Sequence, residues 1–246
     1  MYPYIHLILP SYSVMAFIGG FVTLIYLYFR LEKYQIEFTS FLKIVVLGVI
    51  GCLLGSKLLF AVTQIPWLIN HFTFENLIFL IPNSGLVFYG GLFGVIFTLS
   101  FYSRKDTAFK EKLFQMTVPA FPLFHAFGRI GCLFAGCCYG KELDSPIVIG
   151  NIIQFSEIPI PIFESVFEFV IFAILNVIEK RNTKCDLLKV YLISYAIFRF
   201  INEFFRGDTV RGIFFGLSTS QWVSLAILCF YLLKHYSKKI QKSSTN

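Results

Sequence analysis

Long apolar runs separated by short polar segments form the main pattern of the chain. A helix needs about 20 mostly apolar residues to cross a bilayer, and such runs lie at 11–30, 41–63, 85–103, 117–138, 160–179, 187–205 and 219–236. Glycine and proline interrupt the third and fourth runs, which are the weakest of the set. The pattern predicts an all-α, polytopic integral membrane protein with about seven transmembrane helices in a single membrane domain, residues 1–246.

The positions of the basic residues test this span count independently. Most of the 21 Lys and Arg residues follow the first, third and fifth runs or lie in the C-terminal tail. Because cytoplasmic loops are enriched in Lys and Arg, the N-terminus is predicted outside and the C-terminus in the cytoplasm. The two long loops, 64–84 and 139–159, then lie on the outer side.

Composition excludes the main soluble classes. The chain is 57% hydrophobic and only 14% charged, with a mean hydropathy of +0.72, whereas a soluble domain carries about 25% charged residues. Disorder, collagen and coiled coil are excluded as well. The formal net charge of +7 is explained by topology-setting loops, so no nucleic-acid partner is predicted.

Six charged residues lie within or at the edge of the apolar runs: Lys57, Arg129, Glu164, Glu168, Arg199 and Glu203. Each costs about 2.5–3.5 kcal/mol on insertion scales and is a functional candidate. One interpretation is that they pair with each other and fix helix packing, and Arg199 and Glu203 have the i,i+4 spacing for it. The predicted orientation brings them to a similar depth in the outer half, which favours a polar cavity.

Arginines in such a cavity suit an anionic ligand. A guanidinium group holds phosphate through two parallel hydrogen bonds, which are stronger where water is excluded. The residues alone therefore predict a site for the phosphate of an anionic lipid near the outer leaflet, reached from the bilayer.

The segment 128–140, Gly-Arg-Ile-Gly-Cys-Leu-Phe-Ala-Gly-Cys-Cys-Tyr-Gly, carries a specific resemblance. It resembles the signature Gly-Arg-x-Gly-Asn-Phe-x-Asn-x-Glu-x-x-Gly of the bacterial prolipoprotein diacylglyceryl transferase family. Four positions match: Gly128, Arg129, Gly131 and Gly140. The chain departs from the signature where Cys132, Ala135 and Cys137 replace its two Asn and its Glu.

Further segments are similar to family motifs in the same order, at 12–19, 55–57, 89–94, 159–164 and 195–208. The last of these, from Tyr195 through Arg199 and Glu203 to Arg206 and Asp208, is the closest match. In the others, Lys57 replaces an Arg of the family and Tyr89 stands in the position of its His. The order and spacing of the motifs agree with the family over nearly the whole chain. The outside-first, seven-span topology agrees with the family as well.

The resemblance implies a reaction in the bacterial cytoplasmic (inner) membrane, with no cofactor. The diacylglyceryl group of phosphatidylglycerol passes to the thiol of the lipobox Cys in the signal peptide of a lipoprotein precursor, and glycerol 1-phosphate is released. Alternatives are a paralogous lipid or acyl transferase with another acceptor or a Cys-dependent mechanism, and a non-catalytic protein that binds or transports phospholipid.

Site residues follow from the matched motifs. The expected catalytic residues are Arg129 and Arg199 on the phosphate, Glu203 orienting an arginine, and Tyr89. Expected substrate-binding residues are Tyr12, Lys57, Gly90, Gly91, Gly131, Gly140, Glu164, Tyr195 and Arg206. The acceptor thiol must lose its proton, but a Tyr is a poor base near neutral pH. His125, four residues before Arg129, is a possible substitute.

The cluster of Cys132, Cys137 and Cys138 leaves several interpretations open. These residues indicate a divergent branch that binds lipid mainly through its arginines, or one of them serves as a nucleophile. Alternatively, they form a disulfide on the oxidising outer side or pack as small buried residues. The spacing Cys-x4-Cys-Cys without a second cluster is poor for zinc, so no metal site is predicted.

Overall fold

The computed structural model describes residues 4–5, 9–70, 73, 87–149, 153–181, 185–207 and 213–243. The chain divides into two compact units, one built from Met1–Tyr28 with Thr117–Asn246 and the other from Phe29–Met116. The prediction of a single membrane domain stays a prediction. Asp208, at the end of the last resembling motif, and most of the predicted loop 64–84 lie outside the described residues.

Helices make up most of the described chain. They are α1 (Ser11–Tyr28), α2 (Leu31–Tyr34), α3 (Phe38–Asn70), α4 (Phe88–Tyr102), α5 (Thr107–Thr117), α6 (Ala120–Ala135), α7 (Ile160–Arg181), α8 (Leu187–Asn202) and α9 (Thr219–Ser243). A 3-10 turn, Glu203–Phe205, continues α8. Each of the seven apolar runs overlaps one of the longer helices, but the observed bounds differ by several residues.

Within the part of the chain that the structure describes, four helical segments are long and apolar enough to cross a bilayer: Ser11–Tyr28, Phe38–Ile65, Thr107–Ala135 and Ile160–Arg181. The helix Phe88–Tyr102 is apolar but shorter. Large apolar side chains such as Phe17 and Leu58 are mostly exposed, which a water-facing surface avoids and a lipid-facing surface accepts. The prediction of a helical, multi-pass membrane protein is confirmed at this level.

The expectation of an all-α chain is wrong in detail, because the described residues include three antiparallel hairpins. Their strands are β1 (Tyr4–Ile5) with β2 (Leu9–Pro10), β3 (Glu142–Ile149) with β4 (Ile153–Glu157), and β5 (Ile213–Phe214) with β6 (Leu217–Ser218). The β3–β4 hairpin occupies most of the predicted loop 139–159. Its Ile- and Val-rich strands favour extended pairing, but they are too short to register as apolar runs of membrane-spanning length.

Within the first unit, α1 packs on α6, α6 on α7, α7 on α8 and α8 on α9. The buried residues of α7 and α8 recur every three or four positions, so each helix presents one face to its neighbours. At Gly19 of α1, an added Cβ would lie 2.5 Å from the Cβ of Phe127. A larger residue there would separate α1 from α6.

Within the second unit, α3 and α4 approach closely along a row of glycines. An added Cβ at Gly55 would lie 2.9 Å from the Cα of Gly94 and closer still to the carbonyl oxygen of Gly90. Small residues let membrane helices pack backbone to backbone. Van der Waals contacts then stabilise the helix pair, because the surrounding lipid gives no hydrophobic driving force for association. These glycines therefore set the α3–α4 distance.

We predict that Gly55→Ala destabilises the protein, because its new methyl group meets backbone atoms that cannot move aside. The expected cost is about 1–3 kcal/mol, measured as a lower midpoint of thermal unfolding in detergent. Gly48→Ala on the same helix is the matched control, because an added Cβ there has no other atom within 4 Å. Equal midpoints for the two variants would contradict the packing account.

Candidate active site

Three helices of the first unit place charged side chains on their buried faces. On α6, His125, Arg129 and Cys132 are spaced by four and three residues and share one side. On α7, Glu164 and Glu168 lie one turn apart among buried residues. On α8, Tyr195 and Arg199 are buried with the same spacing. Because these residues recur at helical spacing, each of the three helices carries its polar residues on one buried face.

Glu164 lies at the centre of this arrangement, with only 1% of its surface exposed. Its Oε2 is 2.9 Å from Nε of Arg129 and its Oε1 pairs with Nη1 of Arg199. The same Oε1 accepts a hydrogen bond from Nδ2 of Asn202 at 3.2 Å and lies 3.6 Å from Nη1 of Arg206. One buried carboxylate therefore holds three guanidinium groups together.

Arg199 has further partners that fix its orientation. Its Nη2 is 2.7 Å from Oε2 of Glu203, one turn along the chain, and 3.5 Å from the Ser220 hydroxyl. The three arginines thus meet two carboxylates, those of Glu164 and Glu203. Among the described residues, the guanidinium groups thus outnumber the carboxylates that contact them directly by one, because the third buried carboxylate, Glu168, contacts His125 rather than an arginine. In a region of low dielectric this local excess attracts an added anion.

His125 links Arg129 to Glu168. Nε of Arg129 donates to Nε2 of His125 at 3.0 Å, and Nδ1 of His125 is 2.7 Å from Oε1 of Glu168. Because a guanidinium group only donates, Nε2 must accept, and the ring proton lies on Nδ1. The ring also packs edge-on against Tyr195 at 5.6 Å. This geometry makes His125 a positioning residue for Arg129.

Gly140 brings the turn after α6 against the segment that carries Arg206. The two residues pair as an isolated antiparallel bridge, and Lys141 donates its N–H to the carbonyl of Phe205 at 3.0 Å. An added Cβ at Gly140 would lie 2.6 Å from the Cβ of Ile158. Only glycine permits this approach, which places Arg206 beside Glu164.

Gly131 has a similar role for α1. An added Cβ there would lie 3.2 Å from Cδ2 of Tyr12 and 3.1 Å from the Cβ of Met15. The glycine therefore lets Tyr12 lie directly against α6 at a position two residues from Arg129. The expected hydrogen bond from Tyr12 to a head-group oxygen stays a prediction.

The remaining expected residues belong to the second unit. Tyr89 is buried and stacks on Phe93 with ring centroids 6.0 Å apart. Added Cβ atoms at Gly90 and Gly91 would meet α3, the latter 2.6 Å from the Ser56 hydroxyl oxygen. Helix packing accounts for both glycines, and their approach to lipid stays a prediction. Lys57 is exposed.

Sequence reasoning did not assign three residues to the candidate active site. Glu168 stands out in the sequence only as an intramembrane charge that no motif assigns to the site, and no motif includes Ser220 or assigns a role to Asn202. Asn202 carried a usable signal, because it is a polar residue three positions after Arg199 in an apolar run. Ser220 carried none, because a serine at the start of a helix is common.

The fold and the site together define a class: a helical membrane protein with buried guanidinium groups suited to an anionic lipid head group. A family model described as prolipoprotein diacylglyceryl transferase matches residues 4–235. The phosphatidylglycerol–prolipoprotein diacylglyceryl transferase of Clostridium tetani (strain Massachusetts / E88) is 33% identical over 223 residues, 87% of this chain and 87% of its own length.

Two further relatives carry similar names. The phosphatidylglycerol–prolipoprotein diacylglyceryl transferase 2 of Clostridium perfringens (strain 13 / Type A) is 34% identical over 203 residues, 80% of this chain and 78% of its own length. The relative from Helicobacter pylori (strain G27) is 27% identical over 235 residues, 86% of this chain and 82% of its own. The chain belongs to the prolipoprotein diacylglyceryl transferase family, as its motifs predicted.

We predict that Glu164→Gln is strongly destabilising, because it leaves three buried guanidinium groups without their shared counter-charge. Removing one partner of a buried ion pair costs about 3–5 kcal/mol. The measurement is thermal unfolding of the detergent-purified protein. The control is Glu111→Gln, since Glu111 is exposed on α5. A Glu164→Gln variant as stable as this control would show that the arginines do not depend on Glu164.

Proposed function

We propose that this chain transfers the diacylglyceryl group of phosphatidylglycerol to the lipobox cysteine of a lipoprotein precursor. It is a transferase by its family, and the observation that supports this reaction most directly is the surplus of guanidinium charge around Glu164. The acceptor thiolate attacks the glycerol carbon that carries the phosphate ester. A carbon–sulfur bond forms, the carbon–oxygen bond breaks, and glycerol 1-phosphate leaves.

Arg129 and Arg199 hold the phosphate of the lipid in this proposal. As the carbon–oxygen bond breaks, negative charge grows on the departing phosphate oxygen, and prepositioned donors stabilise it without reorganising. Glu164 and Glu203 keep the two guanidinium groups in place before the lipid arrives. Arg206, 3.6 Å from Glu164, adds a third positive charge and assists release of the phosphate.

The proton of the acceptor thiol needs a separate route. Nε2 of His125 already accepts from Arg129, so His125 serves as a base only after Arg129 has turned toward the phosphate. We assign His125 to positioning and Tyr89 to hydrogen bonding with a reacting group, because Tyr89 stands at the His position of the family motif. A phenol donates a hydrogen bond readily but is a weak base.

We also propose the topology and location that the charge pattern predicts. Seven membrane-spanning helices, an outer N-terminus and a cytoplasmic C-terminus agree with the excess of Lys and Arg after the first, third and fifth runs. The enzyme then acts in the bacterial cytoplasmic membrane, where the signal peptide of the precursor reaches it from the bilayer. No nucleic-acid partner is part of this proposal.

We predict that Arg199→Lys lowers thioether formation by about 10²–10³-fold, because an ammonium group cannot reproduce the planar pair of donors. The assay uses phosphatidylglycerol vesicles and a synthetic lipobox peptide, with the peptide mass and the released glycerol phosphate read together. Arg181→Lys is the control, since Arg181 is exposed at the end of α7.

Two controls give this assay a clear outcome. A peptide with Ser in place of the lipobox Cys must show no mass gain. If the wild-type chain adds no diacylglyceryl group while a relative is active in the same vesicles, the acceptor is different or the protein only binds lipid. Undiminished activity of Arg199→Lys would remove the proposed role of Arg199.

We predict that Tyr89→Phe lowers turnover by about 10–100-fold, the loss expected for one hydrogen bond to a charged group. Stability is retained, because the ring that stacks on Phe93 remains. The measurement is the same peptide assay, together with thermal unfolding. Tyr102→Phe on the same helix is the matched control and is expected to keep full activity. Equal turnover in the two variants would exclude a catalytic role for the Tyr89 hydroxyl.

A further inference from the structure

Three thiols, two of them adjacent in sequence, meet at the end of α6. The Sγ atoms of Cys132, Cys137 and Cys138 all lie within 4.8 Å of one another. Cys132 is buried, Cys138 is partly buried and Cys137 is exposed. The cluster is therefore buried on one side and open to its surroundings on the other. A metal site needs such an opening for entry of its ion.

The backbone explains how this cluster forms. Helix α6 ends in the left-handed conformation at Gly136, with φ of 69°, and Cys138 has φ of 63°. These two residues reverse the chain and return Cys137 and Cys138 toward the last turn of the helix. A residue with a side chain adopts this conformation at a cost. The reversal brings the three thiols together although their spacing in the sequence is unusual for zinc.

We propose that Cys132, Cys137 and Cys138 bind a thiophilic divalent cation of the Zn²⁺ type. A zinc–thiolate bond is about 2.3 Å long, so two thiolates in a tetrahedral site lie about 3.8 Å apart. Side-chain rotations that move the sulfur atoms by about 1 Å or less bring the observed thiols to that separation. Three protein ligands leave the fourth position to water, and each thiol releases its proton on binding.

The surrounding charges support such a site. Three thiolates and one dication carry a net negative charge, which needs a positive neighbour in a buried region. Nη1 of Arg129 is 4.0 Å from Sγ of Cys132, and Arg206 pairs through its backbone with Gly140, two residues after Cys138. Arg129 therefore offsets part of the charge of the bound ion.

A bound ion would fasten the end of α6 to the turn that leads to Gly140. That turn pairs with Arg206 through the backbone bridge, so the ion stabilises the position of a cluster arginine. This inference stands on the thiol geometry and does not depend on the proposed reaction.

The test uses the full-length protein, purified anaerobically in detergent with a thiol-free reductant. Co²⁺ serves as a spectroscopic substitute for Zn²⁺, because cobalt–thiolate bonds give a charge-transfer absorption. We expect about one Co²⁺ per chain, with that absorption, and its loss when Zn²⁺ is added. Replacing the three cluster residues together (Cys132→Ser, Cys137→Ser, Cys138→Ser) is expected to abolish binding.

The chain supplies its own matched control, because three other cysteines lie outside the cluster. The triple variant Cys52→Ser, Cys185→Ser, Cys229→Ser is expected to bind Co²⁺ as the wild type does. The single variant Cys137→Ser removes an exposed ligand without disturbing the core, and we expect it to weaken binding at least tenfold while thermal unfolding in the absence of metal is unchanged.

The opposite results would overturn the proposal. These are a wild-type protein with reduced thiols that binds no Co²⁺, a cluster variant that keeps the thiolate absorption, or a Cys137→Ser variant with wild-type affinity.

Discussion

The carboxylate of Glu164 gathers the guanidinium groups of Arg129, Arg199 and Arg206 in a buried region, and the rest of the site depends on this interaction. Three guanidinium groups brought together without a counter-charge would repel each other strongly at low dielectric. The shared carboxylate offsets this repulsion and fixes the distances between helices α6, α7 and α8. The packing of this unit and its chemistry therefore have one origin.

The same interaction prepares the site for an anion. Glu164 and Glu203 together neutralise two of the three arginines, and His125, held by Glu168, sets the orientation of Arg129. The donors are thus in place before a phosphate arrives, which is the condition for stabilising a transition state without reorganisation.

The positions of the helices and one ion pair of the site could be predicted from the sequence. The i,i+4 spacing of Arg199 and Glu203 predicted an ion pair that the structure contains, and the run of apolar residues located the helices. The pairing of Glu164 with Arg129 joins residues 35 positions apart, and no single-sequence rule states which helix faces meet. The reversal at Gly136 that gathers the thiols, and the packing role of Gly55, likewise appear only in three dimensions.

The most direct test of the central claim is an experimental structure of the protein with phosphatidylglycerol bound in a lipid nanodisc. We expect the lipid phosphate within about 2.7–2.9 Å of the guanidinium nitrogens of Arg129 and Arg199, with Glu164 still paired to the three arginines. A phosphate bound elsewhere, while Arg129 and Arg199 stay paired with Glu164 and Glu203, would contradict it.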